Sequence, residues 1–578
     1  MNLEVTTNVG GVNQTNQLIE EEGRILNSVL IEADNLIDLR SRRVKDFFID
    51  SVKKGHSSES IVNLFEHSLE KFERKDTGQY YTPKTIVEYI ISQLDIREDS
   101  KILDPSCGCG SFLSTLFDKF KEKYSSEFLK NIYGVDINED AANMTRLCMY
   151  MKADFNRRYI PFIKQNIKSG NSIVSNPALN KNAFSWENEY LDVMQKGGFD
   201  FIIGNPPYVT LRGLKDFDSS ESIYRQIVEG PVNAATLMIG RSLDLLRKQG
   251  VLAFLLPKSI LYVDSYRRLR NYLSHNTEIL QIYDLGSKFK DVRGEQFILF
   301  VRKKTSIPDG NVKICVFADK NKEMSQQPYI TLSYRKLKCL ERFYTYEFRE
   351  HYNLINRLSN VGTELRNLVD DKIFRGLPVG GNRAEQKNDI GYEKIIRGRD
   401  ITKFRLKPLP FMKKELLEKQ SKVKTNELKQ KKVVLQNIFS SEAGVIAAYD
   451  PYKLLNLDTV TNIVVKDDDE GKYFLALLNS KLINFYIMYA LFNRSKLTMH
   501  LDKSYIGSIP VIPNPNQTSL NRLMRIVDSL HEVNDREMQK ENNKEIDKIV
   551  YGIYDLSNQE IKLIEDAVNK MLSPRSLW

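Results

Sequence analysis

Residues 101–113 read Lys-Ile-Leu-Asp-Pro-Ser-Cys-Gly-Cys-Gly-Ser-Phe-Leu, and this stretch decides the fold. Ile102 and Leu103 form a short apolar run closed by Asp104, the pattern of a strand covered on both faces. Pro105 ends it. Gly108 and Gly110 then make a loop whose backbone can approach a ligand closely, and a helix is predicted from near Ser111. Strand, glycine loop and helix in that order open a nucleotide-binding βαβ unit and predict an α/β domain. Ile132-Tyr-Gly-Val135 supplies the next strand. It ends at Asp136, where a carboxylate can accept from ribose hydroxyls.

Working outward, residues 199–208 read Phe-Asp-Phe-Ile-Ile-Gly-Asn-Pro-Pro-Tyr. Phe201-Ile202-Ile203 is a buried strand bounded by Gly204, and two prolines forbid its continuation as helix or ladder. The loop is therefore stiff. It fixes the Asn205 side-chain oxygen and leaves the Pro206 carbonyl as a second acceptor, two groups that take both protons of one exocyclic amine. Tyr208 offers a ring face to a planar partner. Such a loop holds a base-like or amide-like amine in a defined plane and aims its nitrogen lone pair at an electrophile. No His or Lys base is required, so Asp200 and His275 are read as structural. Asn233 begins an apolar helix, and Gly250-Val-Leu-Ala-Phe-Leu-Leu-Pro257 is a continuous strand.

Taken in order, Asp104-Pro-Ser-Cys-Gly-Cys-Gly-Ser-Phe112, Asp136 and Asn205-Pro-Pro-Tyr208 resemble the amino-methyltransferases of DNA, specifically the gamma-class N6-adenine enzymes similar to TaqI. The resemblance implies a Rossmann-like domain that binds S-adenosyl-L-methionine. Its cofactor residues would be Tyr80, Tyr81, Thr82 and Pro83 of the segment before the first strand, then Asp104, Ser106, Gly108, Gly110, Phe112, Asp136 and Ile137. Asn171 and Ser172, in Ile167-Lys-Ser-Gly-Asn-Ser-Ile173, and Asn205 itself complete the set. The family's usual residue at position 171 is aspartate; the Asn171 amide oxygen can still accept from an adenine amino group, though the amide adds competing donors. The implied catalytic residues are Asn205, Pro206, Tyr208 and Phe289, the last in Asp284-Leu-Gly-Ser-Lys-Phe289. Tyr208 and Phe289 would sandwich an extruded adenine.

The chain has 578 residues, of which 41% are hydrophobic, enough for more than one packed core. A net charge of +10 favours an anionic partner such as nucleic acid. Five cysteines, an odd number, point to a reducing compartment. Cys107-Gly-Cys109 lacks a second Cys/His pair at zinc spacing, so no metal is expected. The amino terminus carries no basic segment followed by an apolar run, and no stretch reaches membrane-spanning length, so a cytoplasmic protein is expected.

Four regions are expected: a helical segment 1–75, a catalytic domain 76–306, a recognition domain 307–515 and a helical segment 516–578. The break at 305–311, Thr-Ser-Ile-Pro-Asp-Gly-Asn, sets the central boundary. Beyond it, basic residues interleave with glycine turns in Phe374-Arg-Gly-Leu-Pro-Val-Gly-Gly-Asn-Arg383 and Ile396-Arg-Gly-Arg-Asp-Ile401. Loops of this kind present cations and backbone amides to phosphates and base edges. Residues 360–515 resemble, more loosely, the α+β target-recognition domains of TaqI-like enzymes. Arg375, Arg383, Arg397 and Arg399 are the candidates for DNA contact.

The function implied is adenine-N6 methylation of duplex DNA in a restriction-modification system, performed by a monomer, with any cognate restriction endonuclease acting separately. Two alternatives stay open. The Asn-Pro-Pro-Tyr loop also serves enzymes that methylate amides or RNA, and a methyltransferase fold can act as a non-catalytic DNA-binding protein.

Overall fold

The computed structural model describes residues 36, 42–57, 60–65, 82–211, 222–287, 294–304, 310–319, 321–338, 341–346, 348–380, 384–385, 389–532 and 535–572. The chain divides into two compact units, Met1–Thr345 and Tyr346–Trp578.

The first unit is built on one sheet. Its strands are β1 (Ile102–Asp104), β2 (Ile132–Asp136), β3 (Ile167–Ser169), β4 (Phe199–Gly204), β5 (Leu246–Pro257), β6 (Thr277–Gly286), β7 (Gln296–Lys303), β8 (Asn311–Val316) and β9 (Tyr329–Ser333). They lie in the order β9-β8-β6-β7-β5-β4-β1-β2-β3. From β3 to β5 every pairing is parallel, and β7 is inserted antiparallel between β5 and β6. The chain runs outward from β1 through β2 to β3, then returns to place β4 on the other side of β1. That reversal opens a crevice at the carboxyl ends of β1 and β4, where open α/β sheets bind ligands.

Helices cover the sheet. α1 (Arg42–Lys53) contributes Val44 and Phe48, and α2 (Lys84–Ser92) contributes Ile86, Val87, Ile90 and Ile91, to a core shared with β1 and α3 (Ser111–Tyr124). Ile61 and Phe65 of the predicted amino-terminal helical region join that core, whereas Leu64 is exposed. α4 (Glu139–Lys152) starts cleanly because Asn138 Oδ1 accepts from the Asp140 and Ala141 amides at 2.9 and 3.2 Å. A cap of this kind contributes about 1 kcal/mol, and Glu139 and Asp140 add favourable charge at the positive helix end. Asn233 caps α5 (Ala234–Leu245) in the same way, through the Ala235 amide at 2.9 Å.

The sequence break at 305–311 does not end this unit. β8 pairs with β6 and β9 pairs with β8, so the sheet continues past the break and the unit runs to Thr345. β9 is the sheet edge, and in β8 beside it the polar Asn311 and Lys313 alternate with the buried Val312 and Ile314, so neither reads as a continuous apolar run.

The second unit is α+β. Its strands are β10 (Ile373–Arg375), β11 (Tyr392–Ile396), β12 (Phe411–Lys413), β13 (Lys432–Gln436), β14 (Ala447–Asp450), β15 (Leu455–Asn456) and β16 (Val460–Val464). They form sheets of order β10-β16-β13-β14 and β12-β11-β15. Across β13 and β14, Lys432 Nζ is wholly buried and donates to Asp450 Oδ2 at 2.7 Å and to the Leu428 and Leu454 carbonyls at 2.7 and 2.8 Å. Those carbonyls satisfy the remaining ammonium protons, the condition for a buried ion pair to be tolerated. Helices α6 (Asp468–Asn479) and α7 (Lys481–Tyr486) pack within this unit, followed by α8 (Gln517–Glu532), α9 (Arg536–Ile553) and α10 (Asn558–Met571). Among the described residues no single helix is long and apolar enough to cross a membrane.

Candidate active site

Apart from Phe112, which lies in the first turn of α3, the described residues that the sequence nominated in the first unit stand at or just beyond the carboxyl end of a strand, or at the start of α2. β1 delivers Asp104, β2 delivers Asp136 and Ile137, β3 leads into Asn171 and Ser172, and β4 ends at Gly204 before Asn205. Tyr80, Tyr81 and Phe289 lie outside the described residues.

The loop after β1 is held on both sides. The Gly108 amide donates to Asp136 Oδ2 at 2.8 Å, and Thr145 Oγ1 donates to the Gly108 carbonyl at 2.8 Å. Gly108 and Gly110 have φ of +53° and +90°, the left-handed region that glycine enters at no steric cost. At Gly110 a Cβ would also stand 3.0 Å from Thr145 Cγ2. Thr145 was not a sequence nominee; only its place nearly two turns along α4 could have pointed to it.

Two buried carboxylates face this loop. Asp104 accepts from the Ser106 amide at 3.0 Å, and burial, opposed by that bond and reinforced by Asp136, pushes its pKa up to about 8. Asp136 also accepts from the Asn138 amide at 2.9 Å; burial raises it to about 6, against the Asn138 and Gly108 amides. Burial pushes the neighbouring Cys107 thiol well up, with Asp136 and Asp104 adding to it, so Cys107 is no nucleophile.

Three features of the crevice fit a nucleoside. The Ser106 hydroxyl oxygen is buried and meets no hydrogen-bond partner among the described residues. Ile137, directly after Asp136, leaves 50% of its surface open although it is apolar. Asp136 supplies carboxylate oxygens beside it for hydroxyl groups. Phe112 is buried in the core, forming the wall under the loop. Ser172 Oγ donates to the Pro105 carbonyl at 2.6 Å and ties β3 to the loop. Asn171 Oδ1 accepts from the Ile173 amide at 3.0 Å, so one lone pair of the expected acceptor is committed to a local turn. A carbonyl oxygen has a second lone pair.

The Asn-Pro-Pro-Tyr loop is anchored from three directions. Asn205 Nδ2 donates to Thr82 Oγ1 at 3.0 Å, just before α2, and the Asn205 oxygen is buried. Pro206 is buried, and its carbonyl takes no hydrogen bond among the described residues. Tyr208 donates its hydroxyl to the Leu255 carbonyl at 3.1 Å, and Gln296 Nε2 approaches that hydroxyl at 3.4 Å. The ring of Tyr208 is thereby tied by its tip, with its body half-buried. Downstream, the Ala234 amide donates to the Val209 carbonyl at 2.9 Å, joining the loop to α5.

Sequence reasoning missed a buried ion pair beside this loop. Lys258, directly after β5, and Asp284 of β6 meet at 2.9 Å, and Thr345 Oγ1 donates to the same Asp284 oxygen at 2.6 Å. The signal was a lysine immediately after the apolar run from Val251 to Pro257. Asp200 and His275 are structural as read: Asp200 accepts from the Lys101 amide at 2.7 Å and pairs with Arg247, and His275 Nδ1 meets the Asn271 carbonyl at 2.8 Å.

In the second unit the four arginines separate. Arg397 forms a two-point pair with Asp400, Nε to Oδ2 at 2.8 Å and Nη2 to Oδ1 at 2.9 Å, with 11% and 7% of the side chains exposed. It closes a turn. Arg375 donates to the Asp458 carbonyl at 3.1 Å and to Asn437, and stands 3.6 Å from Asp502. Arg399 is exposed, and its guanidinium has no partner among the described residues. Arg383 lies outside them.

Residues 130–290 match the family model described as Eco57I restriction-modification methylase, and residues 393–511 match the TaqI-like C-terminal specificity domain. The first match lies within the first unit and the second within the second. It is 25% identical over 295 residues to the type II restriction enzyme and methyltransferase RM.Eco57I of Escherichia coli, covering 44% of this chain and 29% of that one. With the type II methyltransferase M.VspI of Vibrio sp. (strain 343) it shares 25% over 279 residues, 47% of this chain and 59% of the relative. The match spans less than two thirds of either relative. Among solved structures, the nuclease-deletion mutant of the type ISP restriction-modification enzyme LlaGI, bound to a DNA substrate mimic, superposes with TM-score 0.53 at 14% identity. That superposition covers 89% of this chain and 63% of the other. The type IIL restriction-modification enzyme MmeI in complex with DNA gives TM-score 0.52 at 12% identity, covering 84% and 75%. These two likenesses establish the fold.

Proposed function

We propose that this protein is a site-specific DNA methyltransferase of a restriction-modification system that methylates the N6 amine of an adenine extruded from duplex DNA. The observation that carries the reading is the Asn205 loop: a buried side-chain oxygen and the Pro206 carbonyl stand at the carboxyl end of β4, next to the strand ends of β1 and β2 that carry Asp104 and Asp136. S-adenosyl-L-methionine, when bound, supplies an electrophilic methyl carbon and a sulfur that takes the electron pair of the broken carbon–sulfur bond. Asp136 would hold its ribose hydroxyls, Ile137 and Asn171 its adenine, and Ser106 with the Gly108–Gly110 backbone its remaining polar groups. The residues of this chain then do three things.

Asn205 Oδ1 and the Pro206 carbonyl accept hydrogen bonds from the two N–H groups of the adenine amine, drawing its nitrogen toward a tetrahedral form whose lone pair is no longer lost to the ring. The stiff Pro206-Pro207 turn holds that nitrogen in line for attack. Tyr208, held at its hydroxyl by Leu255, offers its ring to one face of the base, and Phe289 is the candidate for the other. As the N–CH3 bond forms, the amine becomes cationic and strongly acidic, and it sheds one proton to water. No base of ordinary strength is needed.

The relatives are named restriction enzyme and methyltransferase, which supports methyl transfer within a restriction system, and the match to a specificity domain supports target recognition by the same chain. Monomeric action in the cytoplasm and a separate nuclease partner belong to this reading. Sequencing of modified bases in plasmid from cells expressing the protein tests it: N6-methyladenine in one recurring sequence context is expected. Unmodified adenines throughout would refute it.

A further inference from the structure

We propose that His500 is a specificity-determining residue: its Nε2 accepts from the 6-amino group of adenine in one A·T pair of the recognition sequence, while Ile438 meets the methyl group of the paired thymine. This role rests on the proposed function and concerns a base pair other than the one whose adenine is methylated.

Asn437 sets the direction of every hydrogen bond here. Its side chain is wholly buried, and the guanidinium of Arg375 donates to its Oδ1. A guanidinium cannot accept, so the carboxamide atom that faces Arg375 is the oxygen. The other end agrees. Thr461 Oγ1 donates to the Leu501 carbonyl at 2.9 Å, which leaves its lone pairs to accept from Asn437 Nδ2 at 2.8 Å, and Asp502 Oδ1 accepts from the same nitrogen at 3.1 Å. His500 Nδ1 stands 2.6 Å from the Asn437 oxygen, which can only accept, so the neutral ring carries its proton on Nδ1. Nε2 keeps a lone pair. His500 is exposed, and Nε2 forms no hydrogen bond among the described residues.

The neighbour of that lone pair selects its partner. Ile438–Phe439 pairs antiparallel with Met499–His500, Ile438 opposite His500 and Phe439 opposite Met499. Directly opposed residues share a face. Phe439 is 1% exposed and Ile438 53%, so the outward face sets an aliphatic chain beside the ring acceptor. In the major groove only an A·T pair presents both an amine donor and a methyl group, and a two-stranded ribbon can enter that groove. Both halves of the ribbon lie within residues 393–511, which match the specificity domain.

The recognition sequence is first read from modified bases in plasmid from cells expressing wild type, His500→Ala or Ile438→Ala. Duplexes are then made in which each adenine of that sequence, the methylated one excepted, is replaced by purine, which lacks the amine, and each thymine by uracil. Transfer of label from S-adenosylmethionine is measured as kcat/KM at about pH 8, where an ordinary histidine is neutral. At one A·T pair wild type should lose about five- to tenfold with purine, whereas His500→Ala, already slower by that factor, should lose nothing further. Ile438→Ala should be indifferent to uracil at the same pair. His500→Ala should also methylate plasmid sites altered at that pair alone, and both variants should melt as wild type does, since both side chains are exposed. An unchanged sequence context in His500→Ala, relaxation at a G·C pair, an equal weakening for every sequence, or a recognition sequence with no second A·T pair would each overturn the assignment while leaving the proposed function standing. A wild-type protein that methylates no DNA would overturn the function itself.

Discussion

A Cβ placed on Gly204 would lie 2.6 Å from Asp104 Oδ1, so the last residue of β4 and the last of β1 touch at the point where the sheet reverses. Gly204 also has φ +152°, which side-chain-bearing residues rarely adopt. Gly204→Ala should therefore destabilise the first unit by about 1–3 kcal/mol and displace Asn205 enough to cut methyl transfer at least about tenfold. Denaturant titration and a rate assay check it; a protein as stable and active as wild type would show that the contact relaxes freely.

The paired carboxylates give the fold a pH dependence. Asp104 and Asp136 are held at about 8 and about 6, chiefly by burial, so the native state keeps protons that the unfolded chain has lost. Both pKa values are raised, hence stability falls as pH climbs from about 4, steeply to about 6 and then more gently to about 8, where only Asp104 still titrates. The ligand-free protein should melt progressively lower over that range. Asp104→Asn, which keeps an oxygen for the Ser106 amide, should flatten the upper part of the curve. Identical profiles for the two proteins would contradict this.

Arg397 and Arg399, two residues apart, should behave oppositely. Arg397→Ala breaks a two-point pair with Asp400 in a largely buried turn and should cost about 2–4 kcal/mol of stability in the second unit. Arg399→Ala removes an exposed cation and should leave melting unchanged while weakening DNA binding severalfold. Melting curves and DNA titrations separate the two, and a reversal of the pattern would reject the assignment.

Lys413, Lys414, Lys422 and Lys429 are exposed and form no ion pair among the described residues. If they track phosphates, replacing all four with glutamine should weaken DNA binding about equally for every sequence and reduce the salt slope by about two to four units. An unchanged slope would place the DNA path elsewhere on the second unit.

The carboxyl-edge site was legible because each part of it is local. Ile102-Leu103-Asp104 reads as a strand from its own residues, and the helix that begins at Asn233 reads from its own apolar run. What stayed hidden depends on distant partners. Thr82 and Asn205 are 123 residues apart, and Arg375 is drawn into the fold by Asn437, Asp458 and Asp502, none of them near it in sequence. β8 and β9 were missed because polar residues interrupt both, and the Pro-Asp-Gly sequence before them reads as a domain boundary. Arg397 is the instructive middle case. Its partner is only three residues on, in the Arg-Gly-Arg-Asp turn, yet a glycine-rich basic loop suggests a DNA contact before it suggests an internal pair.

The most direct test of the account is chemical. Purified protein is incubated with methyl-labelled S-adenosylmethionine and mixed duplex DNA, the DNA is digested to nucleosides, and the label is followed by chromatography for wild type and Asn205→Ala. The account predicts label in N6-methyldeoxyadenosine for wild type and a loss of about 100-fold or more for the variant. Label on a ring carbon of cytosine, or an Asn205→Ala protein that transfers as fast as wild type, would contradict it.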